Sequence, residues 1–190
     1  MNIETVEETD DVLKVKLEDA NSAIANTLRR AMMVKVPTLA IKEIYVNQNE
    51  SGLFDEVLAN RIGQIPWTIP QNVDDEDEVH IAVKKEGPGP VHASDIKADN
   101  EEAEPVNPDT LLVELKEGQE LTLEGIATLQ EGQTHAKQQG GTVGYEKTGE
   151  REFEFRIEST SGYENQELFE QAIEEILEDL DEFENALEDY

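Results

Sequence analysis

Three short stretches decide the fold of this chain: ANTLRR over residues 25–30, VPTLAI over residues 36–41 and DEVLANRIGQIP over residues 55–66. They contain three of the chain's five arginines, two of them adjacent as Arg29 and Arg30, in segments with the pattern of amphipathic helices. Because the formal net charge is −30, solubility alone does not require such a pair of cations. We expect the pair either to meet an acidic or polar surface of another molecule or to balance carboxylates of this chain.

The charge balance limits the classes of partner. The chain has 45 Asp and Glu residues against 15 Lys and Arg residues in a length of 190 residues. Such a surface repels phosphate, so direct binding of nucleic acid is not expected. Concentrated counterions screen the self-repulsion of a polyanion, which favours a halophilic source with a salt-loaded cytoplasm. The length fits one domain with an insertion or two small domains.

Cofactor and membrane signals are missing from the sequence. There is no cysteine, so disulfides, thiolate zinc sites and thiolate-bound iron–sulfur clusters are excluded. No leader pattern and no apolar run of the length that spans a membrane occur, which predicts a soluble, cytoplasmic protein. The three histidines are scattered, and the acidic run over residues 74–78 lacks the pattern of a calcium loop. We therefore expect no metal site and no cofactor.

The N-terminal part alternates between strand and helix patterns. Residues 13–17 alternate strictly between apolar and charged side chains, which predicts a half-buried strand. Asp19 or Asn21 can cap the helix that follows, and Pro37 ends it. The apolar residues of this helix share one face: Ile24, Leu28, Ala31 and Met32.

The middle of the chain has a different character. Residues 39–46 predict a second strand, and a short helix with Gly63 as a left-handed C-cap follows. Short β segments separated by turns fill most of the stretch from Trp67 to Val143. Residues 138–144 have the composition of a flexible connector.

The C-terminal part repeats the character of the N-terminal part. Phe153, Phe155 and Ile157 alternate with charged residues as a strand, and a helix runs from about Glu164 to the end. The predicted class is α+β: a discontinuous two-layer α/β domain formed by residues 1–46 and 147–190, interrupted by a β-rich domain of residues 47–146.

The last helix suggests a partner. Its apolar residues cover about half of the circumference, which is wider than one packing partner requires; they are Leu168, Phe169, Ala172, Ile173, Ile176, Leu177, Leu180, Phe183 and Leu187. Residues 164–190 contain 12 acidic residues and no basic ones. We expect part of the apolar face to meet another chain, the alternative being a wide groove within the same domain.

Taken together, these segments resemble the D-type subunits of archaeal DNA-directed RNA polymerases, which are relatives of the bacterial alpha subunit. The resemblance extends over nearly the whole length and depends on the order and spacing of several weak motifs. They are ANTLRR at 25–30, VPTLAI at 36–41, NES at 49–51, DEVLANRIGQIP at 55–66, GPGPVHASDI at 87–96, HAK at 135–137 and FRIES at 155–159.

The resemblance implies a non-catalytic assembly platform within a nucleotidyltransferase complex. The discontinuous domain would pair with a small L-type subunit, the inserted domain would contact the large subunits A and B, and the small subunits N and P would complete the platform. The implied dimer interface consists of Ile24, Leu28, Met32, Leu168, Phe169, Ile173, Ile176 and Leu180. The implied large-subunit interface consists of Asn26, Arg29, Arg30, Asp55, Glu56, Arg61, His135 and Lys137.

Some features depart from the family pattern. Many archaeal members carry a cysteine-rich, ferredoxin-like insertion after the position of His135–Lys137, where this chain has a glycine-rich stretch. Asn60, Gln64 and Gln138 replace a histidine, an aliphatic residue and an aromatic residue that are common at these positions in the family. A different class of function also remains open, namely an acidic homodimeric adaptor or regulatory protein. An enzyme is not expected, since no nucleophile, base and orienting residue fall together.

Overall fold

A computed structural model describes residues 1–74 and 77–188, and within them the chain forms ten strands and three α-helices. In chain order they are β1 (Asn2–Glu8), β2 (Leu13–Glu18), α1 (Ser22–Val34), β3 (Thr38–Asn49), α2 (Asp55–Gly63), β4 (Val79–Glu86), β5 (Gly89–His92), β6 (Lys97–Ala98), β7 (Leu111–Leu115), β8 (Glu120–Gln130), β9 (Gly141–Lys147), β10 (Glu152–Ser159) and α3 (Asn165–Glu188). The predicted α+β class is confirmed. Asp75 and Glu76 of the acidic run lie outside the described residues.

The chain divides into two compact units. Unit 1 consists of Met1–Pro37 and Glu131–Tyr190, and unit 2 consists of Thr38–Gln130. A discontinuous unit interrupted by a continuous one is what the sequence predicts, but both boundaries lie earlier in the chain than the predicted 46/47 and 146/147.

Unit 1 contains a four-stranded antiparallel sheet in the order β1-β2-β10-β9. The alternation in β2 and β10 turns Leu13, Val15 and Leu17 to the same face as Phe153 and Phe155, with Val15 opposite Phe155 in the register. These side chains form a core with the inner faces of α1 and α3. The predicted two-layer arrangement therefore follows from period-2 strands meeting period-3.6 helices.

Helix α1 begins where the sequence predicts. The Oδ1 atom of Asn21 accepts a hydrogen bond of 3.0 Å from the Ile24 N–H, so Asn21, not Asp19, is the N-cap. The helix ends at Val34, three positions before Pro37.

The prediction that residues 138–144 form a flexible connector is wrong. Residues 141–147 form β9, which pairs with β10 along its whole length. The glycines at its start serve close packing: a Cβ at Gly140 would lie 2.5 Å from the Met32 carbonyl oxygen, and one at Gly141 would lie 2.7 Å from that of Glu158. Only glycine allows the backbones to approach this closely.

Unit 2 has its own sheet and core. The strand order is β3-β8-β4-β6, and β5 pairs with β7 in a separate two-stranded sheet. Helix α2 buries Leu58 and Ile62 in a core that includes Trp67. The β-rich character predicted for the middle of the chain is confirmed.

Two details of unit 2 correct the sequence interpretation. The predicted boundary places most of β3 in the discontinuous domain, but β3 pairs with β8, and its Leu39 and Ile41 belong to the unit 2 core. Gly63 is the last helical residue and has no positive φ; the C-cap is Gln64, with φ −96°. The helix thus ends without the left-handed residue that the Gly and the following Pro suggest.

Among residues 1–74 and 77–188, none of the helices is both long enough and apolar enough to cross a membrane.

Candidate partner-binding surfaces

Unit 1 has an apolar groove on its surface. It has a volume of about 350 Å³ and is lined almost entirely by apolar side chains. Strands β1 and β2 and helices α1 and α3 contribute to it with Met1, Ile3, Leu17, Ala23, Ile24, Thr27, Leu28, Ile173, Ile176 and Leu177. Both ends of the chain therefore build one groove, which can bind an apolar side chain or a helix face.

Four of the residues expected at a dimer interface meet in this groove: Ile24, Leu28, Ile173 and Ile176. Ile24 is 38% exposed and Leu28 is buried at the groove floor. A fifth, Leu180, lies farther along α3 and is 57% exposed. These five stay candidates for contact with a partner.

The other three expected interface residues lie inside unit 1. Met32 and Leu168 have no exposed surface, and Phe169 is almost fully buried. They face the sheet as part of the unit's own core. This placement corrects the sequence interpretation: these side chains have little or no surface left for a partner.

The distal half of α3 exposes an apolar stripe, which we define as Leu177, Leu180, Phe183 and Leu187. Their exposed fractions run from 55% to 63%. The spacing of three, three and four residues keeps them on one side of the helix. The stripe continues the groove, since Leu177 belongs to both.

Carboxylates surround the base of this stripe. Lys35 forms an ion pair with Asp179. Burial, together with the nearby charges of Glu178, Glu131 and Asp179, raises the pKa of Glu175, although Lys35 opposes the shift. The flank of α3 is therefore electrostatically crowded, and the ionised form of Glu175 is disfavoured.

The paired arginines lie on α1. The Nη1 atom of Arg29 contacts the Met33 sulfur at 3.0 Å, and its Nη2 atom donates a hydrogen bond of 3.4 Å to the Asn26 side chain. Arg30 and Asn26 are exposed. Within residues 1–74 and 77–188, neither arginine forms an ion pair. Of the two hypotheses for the pair, the structure offers no support for charge balance within the chain.

The remaining candidates of unit 2 lie on α2. Asp55 and Glu56 are exposed in its first turn, and Asp55 accepts a hydrogen bond of 2.7 Å from the Asn49 amide. The Nη1 atom of Arg61 donates a hydrogen bond of 2.9 Å to the carbonyl oxygen of Leu112 in β7. Arg61 thus ties α2 to the small sheet, which is a structural role, while the two carboxylates face solvent.

Lys137 lies in a short 3₁₀ turn over Ala136–Gln138 in unit 1, and His135 immediately precedes this turn. The Nδ1 atom of His135 accepts a hydrogen bond of 3.1 Å from the Lys137 N–H and so caps the turn. Burial lowers the pKa of Lys137. This geometry gives both residues a local structural role, and the described residues include no cluster of metal-ligating side chains.

The sequence interpretation missed two surface features. Met1 and Ile3 line the groove, although β1 gave no signal because all its residues are exposed. Phe54 is 79% exposed and Val57, one turn later on α2, is 42% exposed. An apolar residue at a helix start is normally taken as core, so the pattern alone could not reveal it.

Comparison with known proteins gives consistent matches. Residues 55–145 match the family described as the RNA polymerase Rpb3/RpoA insert domain. DNA-directed RNA polymerase subunit Rpo3 from Pyrococcus furiosus is 38% identical over 152 residues, covering 76% of this chain and 58% of the relative. The subunit of the same name from Natronomonas pharaonis is 43% identical over 124 residues (65% and 50%), and that from Halobacterium salinarum is 37% identical over 145 residues (76% and 58%).

Together, these matches support an archaeal RNA polymerase α-like subunit. The resemblance found in the sequence motifs is thereby confirmed, and relatives from Halobacterium and Natronomonas fit the expected halophilic source. The chain spans between half and three fifths of the length of these curated relatives. Most of the range that matches the insert domain lies in unit 2.

Proposed function

We propose that this α-like subunit is a non-catalytic assembly platform of DNA-directed RNA polymerase. Unit 1 pairs with a small L-type subunit, the large subunits A and B dock on the resulting heterodimer, and the small subunits N and P complete the platform. The chain acts in the cytoplasm and brings no catalytic residues of its own to nucleotidyl transfer.

The groove of unit 1 carries this proposal. It joins Ile24 and Leu28 of α1 to Ile173 and Ile176 of α3, and the exposed stripe of α3 extends it. A soluble monomer rarely leaves a continuous apolar surface of this kind uncovered. Burial of apolar area contributes about 25 cal/mol per Å², so covering groove and stripe with a helix face stabilises a heterodimer.

Surface charge supports a role away from nucleic acid. The formal net charge of −30 repels phosphate groups. Arg29 and Arg30 are the one adjacent pair of arginines in the sequence, and their guanidinium groups suit bidentate bonds to carboxylates or carbonyl oxygens. We assign this pair, with Asn26, to contact with a large subunit, and His135 and Lys137 to the edge of the same contact.

The decisive experiment measures pairing with the L-type subunit. Purified chain is mixed with the L-type subunit of the same organism at molar salt, and the mass of the complex is determined by sedimentation velocity. We expect a one-to-one heterodimer. The double variant Ile24→Asp, Ile173→Asp places two charges in the groove and should weaken pairing by at least about 2 kcal/mol.

A matched control separates pairing from folding. Leu111→Asp introduces one such charge at a side chain that is 52% exposed in unit 2, and pairing should be unchanged. A chain that forms homodimers and ignores the L-type subunit contradicts the proposal and favours the acidic homodimeric adaptor.

A further inference from the structure

An aromatic side chain is exposed to solvent at the N-cap position of helix α2. Phe54 is 79% exposed, more than any other large apolar side chain among the described residues, and Val57 is 42% exposed. The inner face of the helix is already satisfied, because Leu58 and Ile62 are fully buried. Phe54 therefore contributes nothing to the core of unit 2.

Phe54 also occupies a position where local physics favours a different residue. It is the N-cap of α2 and makes no side-chain capping bond. Ser, Thr, Asp and Asn are preferred at this position because their side chains accept a hydrogen bond from the first turn. A residue that forgoes a cap and exposes an aromatic ring points to a function outside the fold.

The backbone around Phe54 is held on both sides by one side chain. The Nδ2 atom of Asn49 donates to the Leu53 carbonyl oxygen at 2.9 Å and to the Asp55 carboxylate at 2.7 Å. The Oδ1 atom of Asn49 accepts from the Ser51 N–H at 3.0 Å and from its hydroxyl at 2.6 Å. An exposed ring on a fixed backbone loses little entropy on binding, which is typical of interface anchors.

The charges near Phe54 define the partner. Glu50, Asp55 and Glu56 are exposed neighbours along the chain, and Arg61 is engaged with the Leu112 carbonyl oxygen. A second copy of the chain would bring the same carboxylates, and nucleic acid would bring phosphates, so both are repelled. A pocket that accepts the ring must be apolar inside and basic at its rim.

We propose that Phe54 and Val57 form an anchor that inserts into an apolar pocket with a Lys- or Arg-bearing rim on a large polymerase subunit. This inference rests on the proposed assembly function and adds to it the side chains that make the contact. Asn49 is the positioning residue of the anchor, since its amide holds both flanks of Phe54.

The test uses the heterodimer of the full chain with the L-type subunit, captured with the purified large subunits A and B from the same organism. Phe54→Ala should raise the dissociation constant for the large subunits by at least about 30-fold while pairing with the L-type subunit is unchanged. Phe54→Tyr, which keeps the ring, should restore capture. Leu111→Ala, a truncation at another exposed apolar side chain of unit 2, is the matched control.

Charge reversal tests the chemistry of the rim. Glu56→Lys should weaken capture by at least about tenfold, because it places like charges together. Glu114→Lys, at an exposed position on β7, should have no effect. Circular dichroism melting of each variant verifies that the fold is intact.

The outcomes separate the anchor from the platform. If the wild-type chain captures the L-type and large subunits and Phe54→Ala captures them equally well, the anchor proposal is overturned and the assembly proposal stands. Absence of any capture by the wild-type chain overturns both proposals. Stronger capture by Glu56→Lys, or a change in self-association on removing Phe54, also overturns the inferred partner.

Discussion

Unit 1 and unit 2 each have a sheet and a hydrophobic core, but they leave different surfaces uncovered. In unit 1 the two long helices leave a groove between apolar side chains, and the distal half of α3 exposes a stripe that continues it. In unit 2 the single helix α2 buries its inner face and exposes one ring and one valine beside it. The apolar surface of unit 1 is continuous and broad, whereas that of α2 in unit 2 consists of two neighbouring side chains.

This difference separates two kinds of association. Covering a broad apolar groove stabilises a complex through the large apolar area that is buried, which suits a permanent partner that completes the helix layer. A single fixed aromatic side chain beside carboxylates gains specificity from shape and charge, which suits docking of a preformed surface.

Truncating a core side chain of unit 1 should lower the stability of unit 1 and leave that of unit 2 unchanged. Phe155 is fully buried in unit 1, where its ring centroid lies 5.4 Å from that of Tyr145. Phe155→Ala should lower the free energy of unfolding of unit 1 by about 3–5 kcal/mol. Urea titration at constant high salt measures it by circular dichroism. The single tryptophan, Trp67, is buried in unit 2, so its fluorescence transition should not move; a joint shift of both signals would show that the cores are coupled.

The outer face of α1 should act in docking and not in folding. Arg29→Ala with Arg30→Ala should leave the unfolding free energy within about 0.5 kcal/mol of wild type. Docking of the large subunits should weaken by about 2–5 kcal/mol, since each lost guanidinium leaves a desolvated partner group unpaired. Capture by the L-type heterodimer measures this loss. Arg156→Ala, which removes a surface ion pair to Glu158, is the control; equal effects would argue against a specific contact.

Removing the hydrogen bonds of the Asn49 side chain should cost less stability than truncating a core side chain. Asn49→Ala removes the bonds to Leu53, Asp55 and Ser51. We expect a loss of about 1–2 kcal/mol in unit 2, because the groups are partly exposed and water replaces some of the bonds. Faster hydrogen exchange in the first turn of α2, with unchanged protection in β8, should accompany it. Uniform loss of protection across unit 2 would contradict a local role.

The smallest effect concerns the crowded flank of α3. The raised pKa of Glu175 means that its contribution to stability is fully present below the unfolded-state pKa and is lost as pH rises through the higher folded-state pKa. Glu175→Gln should therefore stabilise unit 1 near neutral pH, by less than about 1 kcal/mol because the group is partly exposed. Thermal melting at neutral pH and below the ordinary carboxyl range measures the difference. Glu184→Gln, on the exposed side of the same helix, should show no such gain.

Strong periodicity made most elements predictable. The alternation in β2 and β10 and the apolar stripe of α1 led to the correct element types, because each of these elements is half-buried. Strand β1 was missed since an edge strand with no buried residue has no pattern to detect. Strand β9 was missed because Gly140 and Gly141 suggest flexibility, whereas tertiary packing against Met32 and Leu168 demands them.

The binding surfaces were predictable only in part. The apolar arc of α3 indicates that more than one packing partner is needed, but not which residues face the unit's own sheet. Met32, Leu168 and Phe169 were therefore wrongly expected at the partner interface. Placing them correctly requires the position of each helix on the sheet, which depends on contacts distant in sequence. Phe54 was missed for a similar reason: exposure is a property of the folded surface and is not visible in the residue type.

The uncovered end of α3 has a consequence for how the cell handles this protein. Leu180, Phe183 and Leu187 remain in water as long as the subunit is alone, and such side chains are what chaperones and proteases recognise in an orphaned chain. The many carboxylates of the same helix slow aggregation but do not bury the stripe. With the partner proposed above, the stripe is covered only in the heterodimer, so a surplus of this subunit over that partner would be exposed to degradation.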